Sequence, residues 1–239
     1  MPVLLLAQGE PAAKNLLRQA IEARYGHRPP AMDSLILDFK GRARIRIGPV
    51  NTWVPIDATA YFRFPTAMRW DFTLRPLKMP VQRGIDSFDG EYLRSLRGGR
   101  SPEVVENVEH IHSMRSRLWA MASIMLTPLS DLFVNLALVD ENRFEATNTR
   151  LQDTALVSLR GNGTMHQVRV HCLNPDQNRM QDYVIDLADS LTTLNGLLLP
   201  ERFCIGWNDA EAVELEPIRV EANAPIGDHV FRLDDAAYA

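Results

Sequence analysis

The stretch that decides the fold runs from Ser34 to Ile47 and reads SLILDFKGRARIRI. Every odd position from Leu35 onward is apolar or small, and every even position from Asp38 onward is charged. Strict period-two alternation is typical of a strand with one dry face and one wet face. At about 3.4 Å per residue this strand would reach roughly 45 Å, well beyond an ordinary strand. We therefore expect a large, curved cover over its dry face.

The same alternation recurs in the two segments that follow, residues 56–64 and 67–74. Three consecutive amphipathic strands joined by short turns predict an antiparallel meander. Asp89-Gly90 then predicts a hairpin between two further strands, because Asp-Gly favours the tight turns that join antiparallel strands. Gly98-Gly99-Arg100 is expected to end this part of the sheet.

Two helices are expected, one before this sheet and one after it. Residues 10–26 carry an apolar stripe at helical spacing, with Pro11 in the first turn and Gly26 as a stop. Ser101-Pro102-Glu103 predicts the start of the second helix, which would run to Leu126.

Arg115 breaks the pattern of the second helix, because it falls near the middle of the apolar stripe. Two interpretations are open. The side chain reaches the edge of the stripe or pairs with a carboxylate of the sheet. Alternatively, it is a polar anchor inside an apolar cavity.

The second half of the chain is a succession of predicted strands, with Gly161-Asn162-Gly163 as one hairpin turn. The expected ranges are 133–139, 143–148, 155–160, 167–173, 183–187, 198–207 and 212–221. No repeat or low-complexity segment interrupts them. The sequence therefore predicts a single domain over residues 1–239, mainly β with flanking helices (α+β).

Composition excludes several classes of function. The 239 residues carry a formal net charge of -4 and no basic run of the kind expected for nucleic-acid binding. No apolar run is long enough to span a membrane. Residues 1–9 are either the remnant of a secretory signal peptide or a first strand. The two cysteines, Cys172 and Cys204, lie in apolar runs and are read as buried residues or as a disulfide of an oxidising compartment.

Motifs of catalysis and cofactor binding are missing from the sequence. It contains no nucleophile elbow, no phosphate-binding glycine loop and no dinucleotide fingerprint. His110 and His112 are two apart on a predicted helix, so they point in different directions and do not suit a shared metal ion. Asp86, Asp89 and Glu91 cluster at the hairpin, where turn formation explains them. We therefore expect no metal, no cofactor and no catalytic residues.

Three stretches of the sequence carry motifs that point to one known family. Residues 64–72, FPTAMRWDF, contain a proline followed by an Arg-Trp pair in a predicted strand. Residues 87–93, SFDGEYL, contain an Asp-Gly hairpin with a nearby aromatic. Residues 220–233, VEANAPIGDHVFRL, contain the pattern N-x-P-x-x-D-x-x-F-x-L. Together these motifs, and the order of helices and strands over nearly the whole chain, resemble the LolA family of periplasmic lipoprotein carriers.

The resemblance implies a highly curved, unclosed antiparallel half-barrel with helices covering its concave side. It also implies a periplasmic setting and an apolar cavity that takes acyl chains. Large apolar side chains on the dry strand faces and on the second helix are the expected lining of that cavity. We predict that the lining comprises Leu35, Leu37, Phe39, Ile45, Phe62, Met68, Trp70, Phe72, Arg115, Leu118, Trp119 and Met125.

Three functions fit these observations. The first is a non-catalytic periplasmic carrier or sensor that binds a lipid or lipoprotein acyl chain, with an inner- or outer-membrane protein as its exchange partner. The second is a protein-interaction or regulatory module on the same scaffold, which needs an exposed apolar patch rather than a cavity. The third is an enzyme for a small apolar substrate, which needs polar side chains that converge in the cavity.

Overall fold

The computed structural model describes residues 5–47, 49–77, 80–98, 101–208 and 210–233, with the side chain of Ile47 left out. Within these residues, fourteen strands form one sheet and two more form a separate ribbon. The strands are β1 (Gln8–Gly9), β2 (Ser34–Ile47), β3 (Val50–Arg63), β4 (Ala67–Leu74), β5 (Gln82–Phe88), β6 (Leu93–Arg97), β7 (Glu103–Val105), β8 (Val134–Asp140), β9 (Arg143–Asn148), β10 (Asp153–Leu159), β11 (Met165–Asn174), β12 (Arg179–Leu187), β13 (Leu191–Leu194), β14 (Leu197–Pro200), β15 (Phe203–Trp207) and β16 (Ala210–Ala222). The helices are α1 (Pro11–Tyr25), α2 (Val108–Ile124) and α3 (Asp228–Arg232), with a 3-10 turn at Thr127–Ser130.

The large sheet is unclosed and begins and ends with short strands. Its spatial order is β1-β8-β9-β10-β11-β12-β15-β16-β2-β3-β4-β5-β6-β7. The β1–β8 pair is parallel, and every other neighbouring pair is antiparallel. The predicted antiparallel half-barrel with helices on its concave side is therefore confirmed.

The strand β2 has the predicted bounds and stands between β16 and β3. Its odd side chains Leu35, Leu37, Phe39 and Ala43 are buried, and Leu35 and Leu37 have no exposed surface. β3 begins at Val50, six residues earlier than predicted, and pairs with β2 along its whole length. The sequence hides this extension because Trp53 lies on the wet face, where the Arg42 guanidinium stacks over it at 4.8 Å.

Two helices close the concave side, and the core lies between them and the sheet. α1 packs on β8 and β9, and α2 packs on β10 and β11. Arg24 of α1 is buried and donates to the backbone oxygen of Ile124, at the end of α2. This bond joins the helices, and it places a cation at the negative end of the α2 dipole. No helix in the described part of the chain has the length and apolar content needed to cross a membrane.

The predicted start of the second helix is wrong. Residues 103–105 form β7, which pairs with β6, so the sheet continues past residues 98–100. Residues 99 and 100 lie outside the described residues. α2 begins at Val108, and the Asn107 side chain caps it by accepting from the backbone N–H of Glu109 and His110. The β-branched pair Val104-Val105 favours a strand. Asn107 is a preferred N-cap residue, which the prediction from Ser101 did not consider.

The predicted strand over residues 198–207 is also wrong, because it is two strands in two sheets. β14 pairs with β13 in the separate ribbon, and β15 pairs with β12 and β16. Pro200 ends β14, since proline has no N–H to donate to a ladder. Asn195 and Gly196 both have positive φ and form the β13–β14 turn, an Asn-Gly signal that the sequence reading overlooked.

The closing motif of the chain crosses the sheet on the face opposite the helices. Asp228 pairs with Arg63 at 2.5 Å, and Arg69 donates to the backbone oxygen of Val230 at 2.9 Å. Ser87 donates to the backbone oxygen of Phe231, whose ring is fully buried. The Arg-Trp strand, the hairpin strand and the closing motif therefore meet at one place.

Candidate functional site: a cavity beneath α2

A cavity of about 580 Å³ lies between α2 and the concave face of the sheet. We refer to it as the α2 cavity. Its sheet wall comes from β2 to β7 on one side and from β12, β15 and β16 on the other. This volume is in the range of small-molecule sites, about 300–1,000 Å³.

Aromatic rings make up much of the sheet wall. The Phe39 ring lies 5.9 Å from Trp70 and 5.8 Å from Phe203, measured between centroids. Tyr183 and Trp207 form a second, edge-on pair at 5.1 Å. Burial raises the pKa of Tyr183 to about 12, so its hydroxyl is neutral across the physiological range. The wall therefore offers a long apolar surface with little charge.

Five of the predicted lining residues lie on this wall: Phe39, Phe62, Met68, Trp70 and Phe72. Leu35, Leu37, Leu118 and Met125 are instead fully buried in the packed core. Ile45 is half-buried against that core. Trp119 is buried too, and its indole N–H donates to the backbone oxygen of Ala146 at 2.9 Å.

Arg115 is not on the cavity wall. Its Nε donates to the buried carboxylate of Asp153 at 2.7 Å, and Ser116 donates to the other oxygen of the same carboxylate at 2.8 Å. The first of the two interpretations of Arg115 is therefore correct, because the side chain pairs with a carboxylate of the sheet. Asp153 opens β10, which the sequence reading began two residues later, so this partner could not be named in advance.

α2 presents a different face to the cavity from the one expected. His110, Met114, Arg117 and Met121 line it, and their spacing of four, three and four places them on one side of a helix. The last turns of α2 are buried on all sides, because the helix is covered by the sheet and by α1. When a helix is buried on all sides, its sequence does not show which side faces the cavity.

A polar cluster on β5 and β6 was also missed. Asp86 lies on the cavity wall opposite Trp70 in register and accepts from Arg97 at 2.8 and 2.9 Å and from Ser95 at 3.0 Å. The Arg97 guanidinium stacks over the Phe72 ring at 5.2 Å. Gly84 makes room for this arrangement, since a Cβ there would lie 2.4 Å from the Phe72 ring. Asp86 and Arg97 therefore compensate each other's charge at the edge of the apolar wall.

Similarity to known proteins was found only at the level of solved structures. No family model matches the chain, and no curated protein matches it. A LolA superfamily protein from Nitrosomonas europaea superposes with a TM-score of 0.50, at 12% identity over 92% of this chain and 96% of that chain. The chain has a LolA-like fold. At this identity the likeness concerns the fold alone, and it agrees with the resemblance of the three sequence motifs.

Two other solved structures give similar values. One is a DUF1329 family protein from Desulfovibrio piger, with a TM-score of 0.49, 9% identity and coverage of 92% of this chain and 97% of that chain. The other is a proposed outer membrane lipoprotein-sorting protein domain from Vibrio parahaemolyticus, with a TM-score of 0.49, 9% identity and coverage of 93% and 98%.

The LolA-like fold holds a second cavity of about 670 Å³ near the end of α1. Loop residues line it, among them Pro29, Pro30, Phe64 and Phe133, with Trp119 at its inner wall. The guanidinium of Arg150 lies 3.2 Å above the centre of the Phe133 ring. This cavity lacks the extended aromatic sheet wall of the α2 cavity.

Possible metal ligands and two cysteines occur in the described part of the chain. No group of three or more His, Cys, Asp or Glu residues there could hold a metal ion. Cys172 and Cys204 are free thiols, and burial raises the pKa of both. A raised pKa keeps a thiol protonated and unreactive at neutral pH.

Proposed function

We propose that the protein is a non-catalytic periplasmic carrier or sensor that binds a lipid or lipoprotein acyl chain in the α2 cavity. The observation that carries the proposal is the aromatic wall formed by Phe39, Trp70, Phe203, Tyr183 and Trp207 around about 580 Å³ of space. An apolar cavity of this kind binds an acyl chain because the chain loses its contact with water. The LolA-like fold and the three motifs support the periplasmic setting and an exchange partner in the inner or outer membrane.

The direct test introduces a charge into the cavity wall. In Trp70→Glu or Phe72→Glu, affinity for a fluorescent fatty-acid probe should fall at least tenfold, because a new carboxylate is costly to bury beside an acyl chain and Arg97, which stacks over Phe72, is already paired with Asp86. Binding is measured by fluorescence titration, and the unfolding transition is followed for each variant.

Trp53→Glu is the matched control, since Trp53 lies on the opposite face of the sheet, under Arg42. This variant should bind the probe as the wild type does. Equal binding by wild type, Trp70→Glu and Phe72→Glu, all folded, would refute the α2 cavity as the acyl site. Native mass spectrometry of gently purified protein should also detect a bound lipid.

A further inference from the structure

Among the described residues, Arg117 is the one half-buried arginine of the α2 cavity without a charged partner, since Arg97 pairs with Asp86 and Arg44 is exposed at the rim. Its side chain is half-buried, and its Nε is buried with no hydrogen-bond partner. The guanidinium carbon lies 5.9 Å from the centre of the Tyr183 ring, within the range of a cation–π contact. A half-buried cation with an unpaired, buried Nε–H carries a desolvation cost, and stacking on one ring offsets only part of it.

The other charges around the cavity do not supply the missing anion. Asp86 is held by Arg97 and Ser95. Asp176 is exposed at the rim and is not within ion-pair distance of Arg117, and Arg44 at the rim is itself a cation. His110, on the same side of α2 as Arg117, is not an anion. The interior of the cavity thus has one uncompensated positive charge.

We propose that the ligand of the α2 cavity is an anionic amphiphile whose acid group pairs with Arg117. This inference rests on the proposed function and specifies its ligand. The guanidinium fork suits a carboxylate or a phosphate, both of which accept two parallel N–H bonds. The chain then extends from the Tyr183–Trp207 pair along Phe203 and Phe39 toward Trp70. The acid group neutralises the Arg117 guanidinium, and the chain covers the aromatic wall.

Three ligands with the same hexadecyl chain separate the contributions of head group and chain. Hexadecanoate carries a carboxylate, hexadecyl phosphate carries a phosphate, and hexadecan-1-ol is uncharged. Each is titrated as a competitor of the neutral dye N-phenyl-1-naphthylamine. The wild type should bind at least one of the two acids about tenfold or more tightly than the alcohol, because a charge-assisted hydrogen bond to the Arg117 guanidinium is stronger than a neutral one. The tighter acid identifies the source of the anion, fatty acid or phospholipid.

Arg117→Met should remove this preference while it leaves hexadecan-1-ol binding within about twofold, because Met keeps an unbranched apolar stem. Arg117→Lys keeps the charge but loses the fork, and it should retain part of the preference. Arg143→Met is the matched control, since Arg143 is exposed and pairs with Asp140 in the β8–β9 hairpin. It should behave as the wild type.

The outcomes distinguish this inference from the proposed function. Equal affinity of the wild type for acid and alcohol overturns the role of Arg117 and leaves an acyl carrier standing. An equal loss of acid and alcohol binding in Arg117→Met also overturns it, since the effect would then be one of packing. If none of the three ligands displaces the dye, the acyl-binding function itself fails. If Arg117→Met does not fold, the ratio of acid to alcohol affinity in the wild type and in Arg117→Lys tests the inference.

Discussion

Gly41 lies in the middle of β2, at a point where two backbones approach too closely for any side chain. A Cβ at this position would lie 1.9 Å from the backbone oxygen of Glu214 in β16. Gly41 pairs directly with Leu215, so the β2–β16 ladder depends on this contact. The residue therefore permits the close strand approach on the concave side, next to the wall that holds Phe39.

Gly41→Ala should lower the free energy of unfolding by at least about 2 kcal/mol, because the clash is with backbone and cannot be relieved by a rotamer change. Urea denaturation followed by circular dichroism measures it. Gly161→Ala is the matched control, since nothing lies within 4 Å of a Cβ there. We expect that variant to be neutral or slightly more stable. Similar stability for both variants would contradict the close approach at Gly41.

At the scale of elements, the start of α2 determines which of its side chains reach the cavity. The helix begins at Val108, so His110, Met114, Arg117 and Met121 face the ligand space. A start at residue 101 would have removed β7, and with it the Val105 side chain that closes the cavity on that edge.

Asn107→Ala should lower the free energy of unfolding by about 1 kcal/mol, because the Asn107 side chain accepts hydrogen bonds from the N–H groups of Glu109 and His110. Ser101→Ala should have almost no effect, since Ser101 is exposed and caps no helix. Thermal unfolding of the two variants compares the two possible helix starts directly. A larger loss for Ser101→Ala than for Asn107→Ala would restore the start at residue 101.

The strands of the first half of the sheet could be predicted from sequence, but the side of α2 that faces the cavity could not. The alternation over residues 37–47 of β2 leaves one register in which the dry face is buried, and Trp70 and Phe72 follow it through ladder pairing. Arg115 and Arg117 differ by two positions, and only the covering of α2 from all sides decides which one pairs and which one faces the cavity. The role of Asp86 likewise could not be predicted, because only the β5–β6 register brings its partner Arg97 beside it.

At the scale of the whole molecule, the motifs that carry the LolA-like resemblance divide their residues between the cavity and the opposite face of the sheet. The closing motif lies across β4 and β5 on the face opposite α2, where Phe231 is fully buried beneath Arg63 at 5.1 Å. Leu233 packs with Ile85 and Leu96 in a small cluster of its own. Of the Arg-Trp pair, Arg69 contacts this segment and Trp70 lines the cavity, on opposite faces of one strand.

This separation of faces predicts that stability and ligand binding can be changed independently. Phe231→Ala should lower the free energy of unfolding by about 3–5 kcal/mol, because it removes a fully buried ring. The protein that remains folded should bind an acyl probe with wild-type affinity, in contrast to Trp70→Glu. Asp228→Asn, which loses an exposed ion pair with Arg63, should change stability far less. Urea unfolding and probe titration on the same samples measure both properties. A folded Phe231→Ala protein that no longer binds the probe would show instead that the closing motif shapes the α2 cavity through the sheet.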